Sequence, residues 1–418
     1  MYRHDSLRTN ATPMPLPERL LRRWEARLSE RASPPVVAGG KVFVSVVNEG
    51  RIVALDAETG EPQWSFVAGS RIDTPPTIHG RLCLFGCHDG TVTCLRADDG
   101  ELLWQKVIAP EQRRIVAFDR VESPWPVMGS VLVHDGVAFA IAGRLTRVDG
   151  GMWMVAMDPV TGERIWRQHL AGIYGAEAHI LPQSWQENEE HMTNNLLLAK
   201  DGSLRLYDEF GTWQFSARDG RLEGRSHEVG QPGWPRGRKT PPCPAAAERW
   251  PWCGWDRVTQ SELMAGADAT NSMVPGMHPY TRGVPKYQAW LFPDRERWGV
   301  HGIRLNKEKK FQLEPARFTE RTTPPEKMPW KPRLLDLDVK AYAFAGGGEM
   351  LLVAGGTPVG PHHKGGQLRA TRMKDGRDLS VLDFSAPAVF DGLAAAYERV
   401  YASTTDGRVL CFGGPDDE

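Results

Sequence analysis

The chain has 418 residues, 41% hydrophobic and 25% charged, with 51 Lys and Arg against 52 Asp and Glu and a formal net charge of −1. This is the composition of an ordinary soluble globular protein, and its charge balance leaves no long-range field for nucleic acid or an anionic membrane. No apolar run is long enough to span a membrane as a helix, and the short basic runs "RGRK" and "NKEKK" read as solvated loops.

Residues 1–19 carry no strand pattern and are expected to form a flexible tail. The first 33 residues lack the apolar core of a secretory signal, so the chain either stays inside the cell or has had a signal removed. "LRRWEARLSERASPPVV", residues 21–37, then opens with a Trp-bearing strand that has no unit before it. From residue 34 the chain reads as strand "PPVVA", strand "KVFVSVV", turn "NEG", strand "RIVALD", turn "AETG" and strand "EPQWSF". The strand runs are apolar, rich in β-branched residues and bounded by turn residues.

Laid over itself 40 residues on, this unit matches at Pro35 and Pro75, Gly40 and Gly80, Gly50 and Gly90, Leu55 and Leu95, Gly60 and Gly100, and Trp64 and Trp104. A four-stranded antiparallel unit repeating at about 40 residues predicts an all-β fold, a β-propeller. Gly60, Gly100 and Gly162 supply the positive φ of a tight turn. Trp64, Trp104 and Trp166 sit in the outermost strand, where a large flat side chain buries area against the next blade. A third copy runs from about Trp125 to Leu170 with a longer loop, "GRLTRVDGG". A fourth, at residues 195–215, places Phe215 near the Trp position. Weaker copies lie at 289–305 and 340–384. "ERVYASTTDGRVLCFGG", residues 398–414, repeats the second and third strands and stops short of a Trp strand. The strand around Trp24 is expected to complete that last blade and close a ring of about seven blades, eight being the alternative. The propeller thus spans residues 20–418, interrupted at about 226–283 by a Pro-, Trp- and Gly-rich insertion or degraded blade.

Six cysteines form no haem or paired zinc spacing. Cys83 and Cys87 are four apart on one strand, roughly 13 Å, too far to bridge. Cys243 and Cys253, inside the insertion, could form a disulfide in an oxidising compartment, and whether they are bridged stays open.

The phrases "ALDAETGEPQW", "CLRADDGELLW" and "AMDPVTGERIW" resemble the repeat of the quinoprotein-type (PQQ-binding-like) β-propellers of bacteria. That family includes quinone-dependent alcohol dehydrogenases and the propeller lipoprotein of the outer-membrane assembly machinery. The resemblance implies a periplasmic or extracellular location. Its dehydrogenases stack their quinone on adjacent cysteines beside calcium. This chain has no Cys-Cys pair, which disfavours PQQ, and no calcium-ligand set can be placed in it residue by residue, which disfavours calcium; no metal or other cofactor is expected.

In a propeller, the turns joining second and third strands share a face with the connections between blades. That rule gathers "IAPEQRRIVAFDRVESPWP" (108–126), the turn His88-Asp89-Gly90, the loop from Arg144 to Asp149 and "GPHHKGG" (360–366) around one mouth. The candidate ligand-binding residues are therefore His88, Asp89, Arg113, Arg114, Asp119, Arg120, Glu122, Trp125, His362 and His363. Arg pairs with carboxylates, and Trp stacks on sugars. Asp89 also fits simple turn chemistry, and Arg113 and Arg114 a solvated loop. Two function classes follow. One is a non-catalytic platform, monomeric as an isolated module, for a protein or oligosaccharide partner. The other is a carbohydrate-active lyase or hydrolase using His88, His362, Asp119, Glu122 and Arg113. A quinone-dependent oxidoreductase ranks third.

Overall fold

The computed structural model describes residue 6 and residues 11–117, 120–146, 148–170, 192, 194, 196–200, 202–208, 211–226, 288–291, 298–305, 310–317, 327–335, 338–357 and 365–415. Among them lie six four-stranded sheets, one five-stranded sheet and a two-stranded hairpin, with no α-helix. The first sheet is Val36–Ala38, Lys41–Val46, Arg51–Asp56 and Pro62–Val67, and the second is Thr77–His79, Leu82–Gly86, Thr91–Arg96 and Leu102–Val107. The third is Leu132–His134, Val137–Ala142, Met152–Met157 and Arg164–Leu170. Four more sheets follow in chain order, and the innermost strand of the seventh, Ala388–Ala396, packs on that of the first. The chain is an all-β propeller closed on itself.

Burial explains the sequence pattern of each unit. Lys41–Val46 and Arg51–Asp56 are buried almost throughout, because neighbouring sheets cover both of their faces, and they read as continuous apolar runs. The outer strand Pro62–Val67 is exposed at alternate positions, and its sequence alternates with it.

Each Trp of the repeated phrase reaches into the next blade. The indole N–H of Trp24 donates to Ala57 O at 3.1 Å, Trp64 to Ala97 O at 3.1 Å, Trp104 to Pro159 O at 3.2 Å and Trp166 to Ala217 O at 3.1 Å. The repeated glycine is the seat for that ring. A Cβ on Gly60 would stand 2.5 Å from the Trp24 ring, on Gly100 2.6 Å from Trp64, and on Gly162 2.7 Å from Trp104. Gly100 also holds φ at +77°, so both backbone conformation and space demand glycine there. The phrase therefore links blades in relay: the glycine receives the preceding Trp, and the Trp four residues later is passed on. Trp330, outside the sequence-level pattern, does the same work, donating to Met373 O at 2.9 Å above Gly376.

Two blades depart from the expected pattern. Phe215 is not a Trp equivalent. It lies in the third strand of its sheet, Gly211–Ser216, fully buried, because "NLLLAK" is the first strand of that unit and not the second. Gly224, opposite Gln214, holds the Trp slot, as Trp64 lies opposite Ala54. In the sixth sheet the slot opposite Ala370 holds Ser380, whose hydroxyl accepts from Leu20 N at 2.8 Å. A Trp would be useless there. The next blade is where the ring is sealed, and residues 16–20 run through the place its turn would occupy.

The seal has the expected form. Leu21–Arg27 pairs antiparallel with Arg408–Gly413, Trp24 opposite Cys411, as the outermost strand of the seventh sheet. Residues 11–19, expected as part of a flexible tail, pack on the ring instead. Ala11–Thr12 adds in parallel to Gly346–Gly347, the inner strand of the sixth sheet, and Leu16 packs in the apolar core between the last two sheets. The sheet edge facing the ring centre supplies the free hydrogen-bonding groups that make this pairing favourable. The insertion or degraded blade expected at about 226–283, with Cys243 and Cys253, lies outside the described residues but for Ser226. Cys83, Cys87, Cys94 and Cys411 are free and buried; burial pushes the Cys94 and Cys411 thiols up to about 12.

Candidate functional site

The connection after the second sheet returns beneath the turn Cys87–Gly90. Ile108 N and Ala109 N both donate to Gly90 O, at 3.0 and 3.1 Å, and Val127 N donates to Cys87 O at 2.9 Å. Between those anchors the chain forms the antiparallel hairpin Ile115–Ala117 and Arg120–Glu122. Strand alternation divides its side chains. Glu122, opposite Ile115, turns into the ring and is buried; Val116 and Val121, directly opposite each other, face outward and are 79% and 57% exposed. Arg120 Nη1 donates to Asn48 O at 2.9 Å, so the hairpin also leans on the first blade.

Beneath the hairpin lies a buried ionic cluster drawn from four segments. His88, in the turn of the second sheet, places Nδ1 at 2.6 Å from Glu122 Oε2 and Nε2 at 2.6 Å from Asp73 Oδ2. Arg144, after the second strand of the third sheet, pairs with Glu122 Oε1 and donates to Pro124 O at 3.1 Å. Arg71 pairs with Asp73 Oδ1. The backbone reinforces the cluster: His88 N donates to Arg71 O at 3.0 Å, and Ser123 N to His88 O at 2.8 Å. Each of the four carboxylate oxygens faces a nitrogen of His88, Arg71 or Arg144. Burial alone would lower the His88 pKa, but Asp73 and Glu122 outweigh it and the net shift is upward. Burial would raise Asp73, yet His88 and Arg71 hold it at about 2.

The predicted site residues therefore separate. His88 and Glu122 meet in the cluster. Arg113 and Arg114 are exposed at the foot of the hairpin. Asp89 belongs to its turn, Oδ1 accepting from Thr91 N at 3.1 Å and from the Thr91 hydroxyl at 2.6 Å. Trp125 is not at the mouth. It is buried between the second and third sheets with Val92, Trp104 and Ile108, so its ring offers no stacking surface. Asp119, His362 and His363 lie outside the described residues. Asp73 and Arg71 were not among the candidates, although a signal existed. In the 40-residue overlay Ser33 and Asn48 of the first copy become Asp73 and His88 in the second, two departures toward charge in one unit.

A family model described as outer membrane protein assembly factor BamB matches residues 22–179. The chain carries the quinoprotein-type β-propeller repeat. Among solved structures, a europium-containing methanol dehydrogenase is 11% identical, covering 99% of this chain and 97% of that chain at a TM-score of 0.56. Quinohemoprotein alcohol dehydrogenase ADHIIG from Pseudomonas putida HK5 is 11% identical, with 99% and 81% covered at 0.55. The quinohemoprotein alcohol dehydrogenase from Comamonas testosteroni is 13% identical, with 99% and 80% covered at 0.53. At such identities the likeness shows the fold alone. No curated protein matches the chain.

The quinoprotein-type fold raises the question of a quinone and its metal. The buried cluster with its two carboxylates does not fit a cation, since all four oxygens already face His88, Arg71 or Arg144. Nor do the described cysteines fit a quinone stack: each is buried within or between sheets, and no two are adjacent.

Proposed function

We propose that this quinoprotein-type propeller is a non-catalytic platform that binds a protein partner on its hairpin face, without bound quinone. The observation that carries this reading is the outward pair Val116 and Val121. Two β-branched side chains held opposite each other leave most of their apolar surface in solvent, and apolar area beside Arg113 and Arg114 suits a partner surface of apolar residues with an acidic rim. The match of residues 22–179 to an outer-membrane assembly factor supports the same reading, and with it a place in the bacterial envelope outside the cytoplasm. The isolated module is expected to be a monomer.

The carbohydrate-active alternative needs an acid or base within reach of substrate. His88 and Glu122, the titratable candidates that the structure describes in detail, are buried and spend their polar atoms on each other and on Asp73 and Arg144, which speaks against it. The test is a thermal-shift screen against calcium with pyrroloquinoline quinone, other divalent metals, and charged and neutral oligosaccharides. A ligand at 100 times its Kd adds about 2.7 kcal/mol of stability. The platform reading predicts an unchanged melting temperature throughout. A shift with quinone and calcium would restore the oxidoreductase, and a shift with one oligosaccharide would move the proposal to glycan binding or turnover.

A further inference from the structure

Both ring nitrogens of His88 lie 2.6 Å from a carboxylate oxygen, Asp73 on one side and Glu122 on the other. A neutral imidazole has one N–H; its second nitrogen would bring a lone pair against an oxygen at that distance. Two N–H donors, and so a positive charge, satisfy both contacts at once. The proton does not belong on a carboxyl instead. Asp73 is also paired with Arg71 and Glu122 with Arg144, and each guanidinium favours the ionised carboxylate beside it.

The chain segments involved give that charge a mechanical role. Asp73 sits in the connection between the first two sheets, His88 in the turn of the second, Glu122 at the end of the hairpin and Arg144 in the loop after the second strand of the third sheet. Besides these bonds, the hairpin strands are attached to the ring through Arg120 to Asn48 O and through Ser123 N, next in the chain, to His88 O. We propose that His88 is held as an imidazolium whose charge fastens the hairpin strands Ile115–Ala117 and Arg120–Glu122 to the ring face, so that loss of the proton releases them. Deprotonation turns a balanced set, with cations His88, Arg71 and Arg144 around Asp73 and Glu122, into one in which a neutral ring can serve only one of two buried carboxylates. Asp89 and Cys87, beside His88 in the same turn, add no cation to compensate. The upward shift of the His88 pKa agrees in direction and places the release on the alkaline side.

The inference concerns the posture of the hairpin and stands whether or not a partner binds there. It is tested on the intact chain labelled at histidine Cε1, with the His88 resonance assigned as the one missing from H88Q. The expected result is an imidazolium chemical shift at pH 7 that moves to neutral only well above it. In parallel, trypsin cleavage after Arg113, Arg114 and Arg120 is followed against pH and normalised to a free peptide of residues 111–122. Cleavage of the parent should be slow at pH 7 and accelerate over the range in which His88 titrates. H88Q should be cut about tenfold faster or more at pH 7, and with little pH dependence, as expected when charge-assisted bonds are lost from a local opening. A neutral His88 shift at pH 7, or normalised cleavage of the parent that is flat through the titration, would overturn it. Both of those readouts use the parent protein, so a poorly folded H88Q leaves them intact; E122Q, by perturbing the same resonance, then supplies the assignment.

Discussion

Removing residues 20–30 is expected to abolish the cooperative melting of the whole ring. The segment supplies the outermost strand of the seventh sheet and buries Leu20, Trp24 and Leu28. At about 1.5–3 kcal/mol for each large apolar side chain, the loss is comparable with the entire stability of a typical fold. It also leaves Arg408–Gly413 as an unpaired edge and removes part of what joins the last blade to the first, including the bond from Trp24 to Ala57 O. The milder W24A should cost about 3–5 kcal/mol. Calorimetry on both variants checks the expectation, and a truncated chain melting at the parent temperature would contradict closure by this strand.

The second large effect is expected from E122A. Removing that carboxylate leaves His88 and Arg144 buried without their shared partner. Breaking a buried ion pair from one side costs about 3–5 kcal/mol, whereas E122Q, which keeps hydrogen-bonding capacity, should cost less. The pH dependence has a definite sign. The folded-state pKa of His88 is raised, so its contribution is fully present below the unfolded value of about 6.5 and is lost as pH rises through the folded value. Asp73 is depressed to about 2, so its contribution is present above the unfolded value of about 3.9 and is lost as pH falls toward 2. Denaturant unfolding across pH should therefore show stability falling at both ends, and E122A should have a shallower alkaline limb than the parent. An unchanged alkaline limb would remove the cluster as its source.

The fold was legible because its signals are local and repeated. Turn glycines, β-branched runs and a Trp at fixed spacing mark every strand of the first two units, and the orphan strand at Trp24 with the incomplete unit at 398–414 announced the closure. The function of the Gly-to-Trp spacing was only half legible. Each Trp packs on the glycine of the following blade, a contact between residues 36 or more apart that no single copy displays, as between Trp24 and Gly60. Where the relay is cut, at Gly224 and Ser380, sequence reasoning lost the register and read Phe215 one strand too late. The overlay hid a further detail. Val36–Ala38 and Thr77–His79 are displaced by 41 positions, whereas Arg51–Asp56 and Thr91–Arg96 are displaced by 40, so one residue shifts between the turns.

The site was legible as a face but not as an arrangement. The topological rule brought His88, Glu122 and the Arg144 loop together. It could not tell that Glu122 turns inward while Val121 turns out, because that depends on hairpin register, nor that Trp125 is consumed by packing between blades. Asp73, which completes the cluster, sits in a connection that composition alone gives no reason to select.

The most direct test of the central claim, that this face binds through its outward valines, is site-specific photo-crosslinking in cells that naturally make the protein. A photoreactive residue at position 116 is compared with one at position 160, where Val160 is 65% exposed in a turn between third and fourth strands, at the opposite end of the sheets. The account predicts one discrete protein adduct at 116, suppressed by V121E and by R114E, and none of that size at 160. Equal adducts at both positions, or an adduct at 116 indifferent to both substitutions, would contradict it.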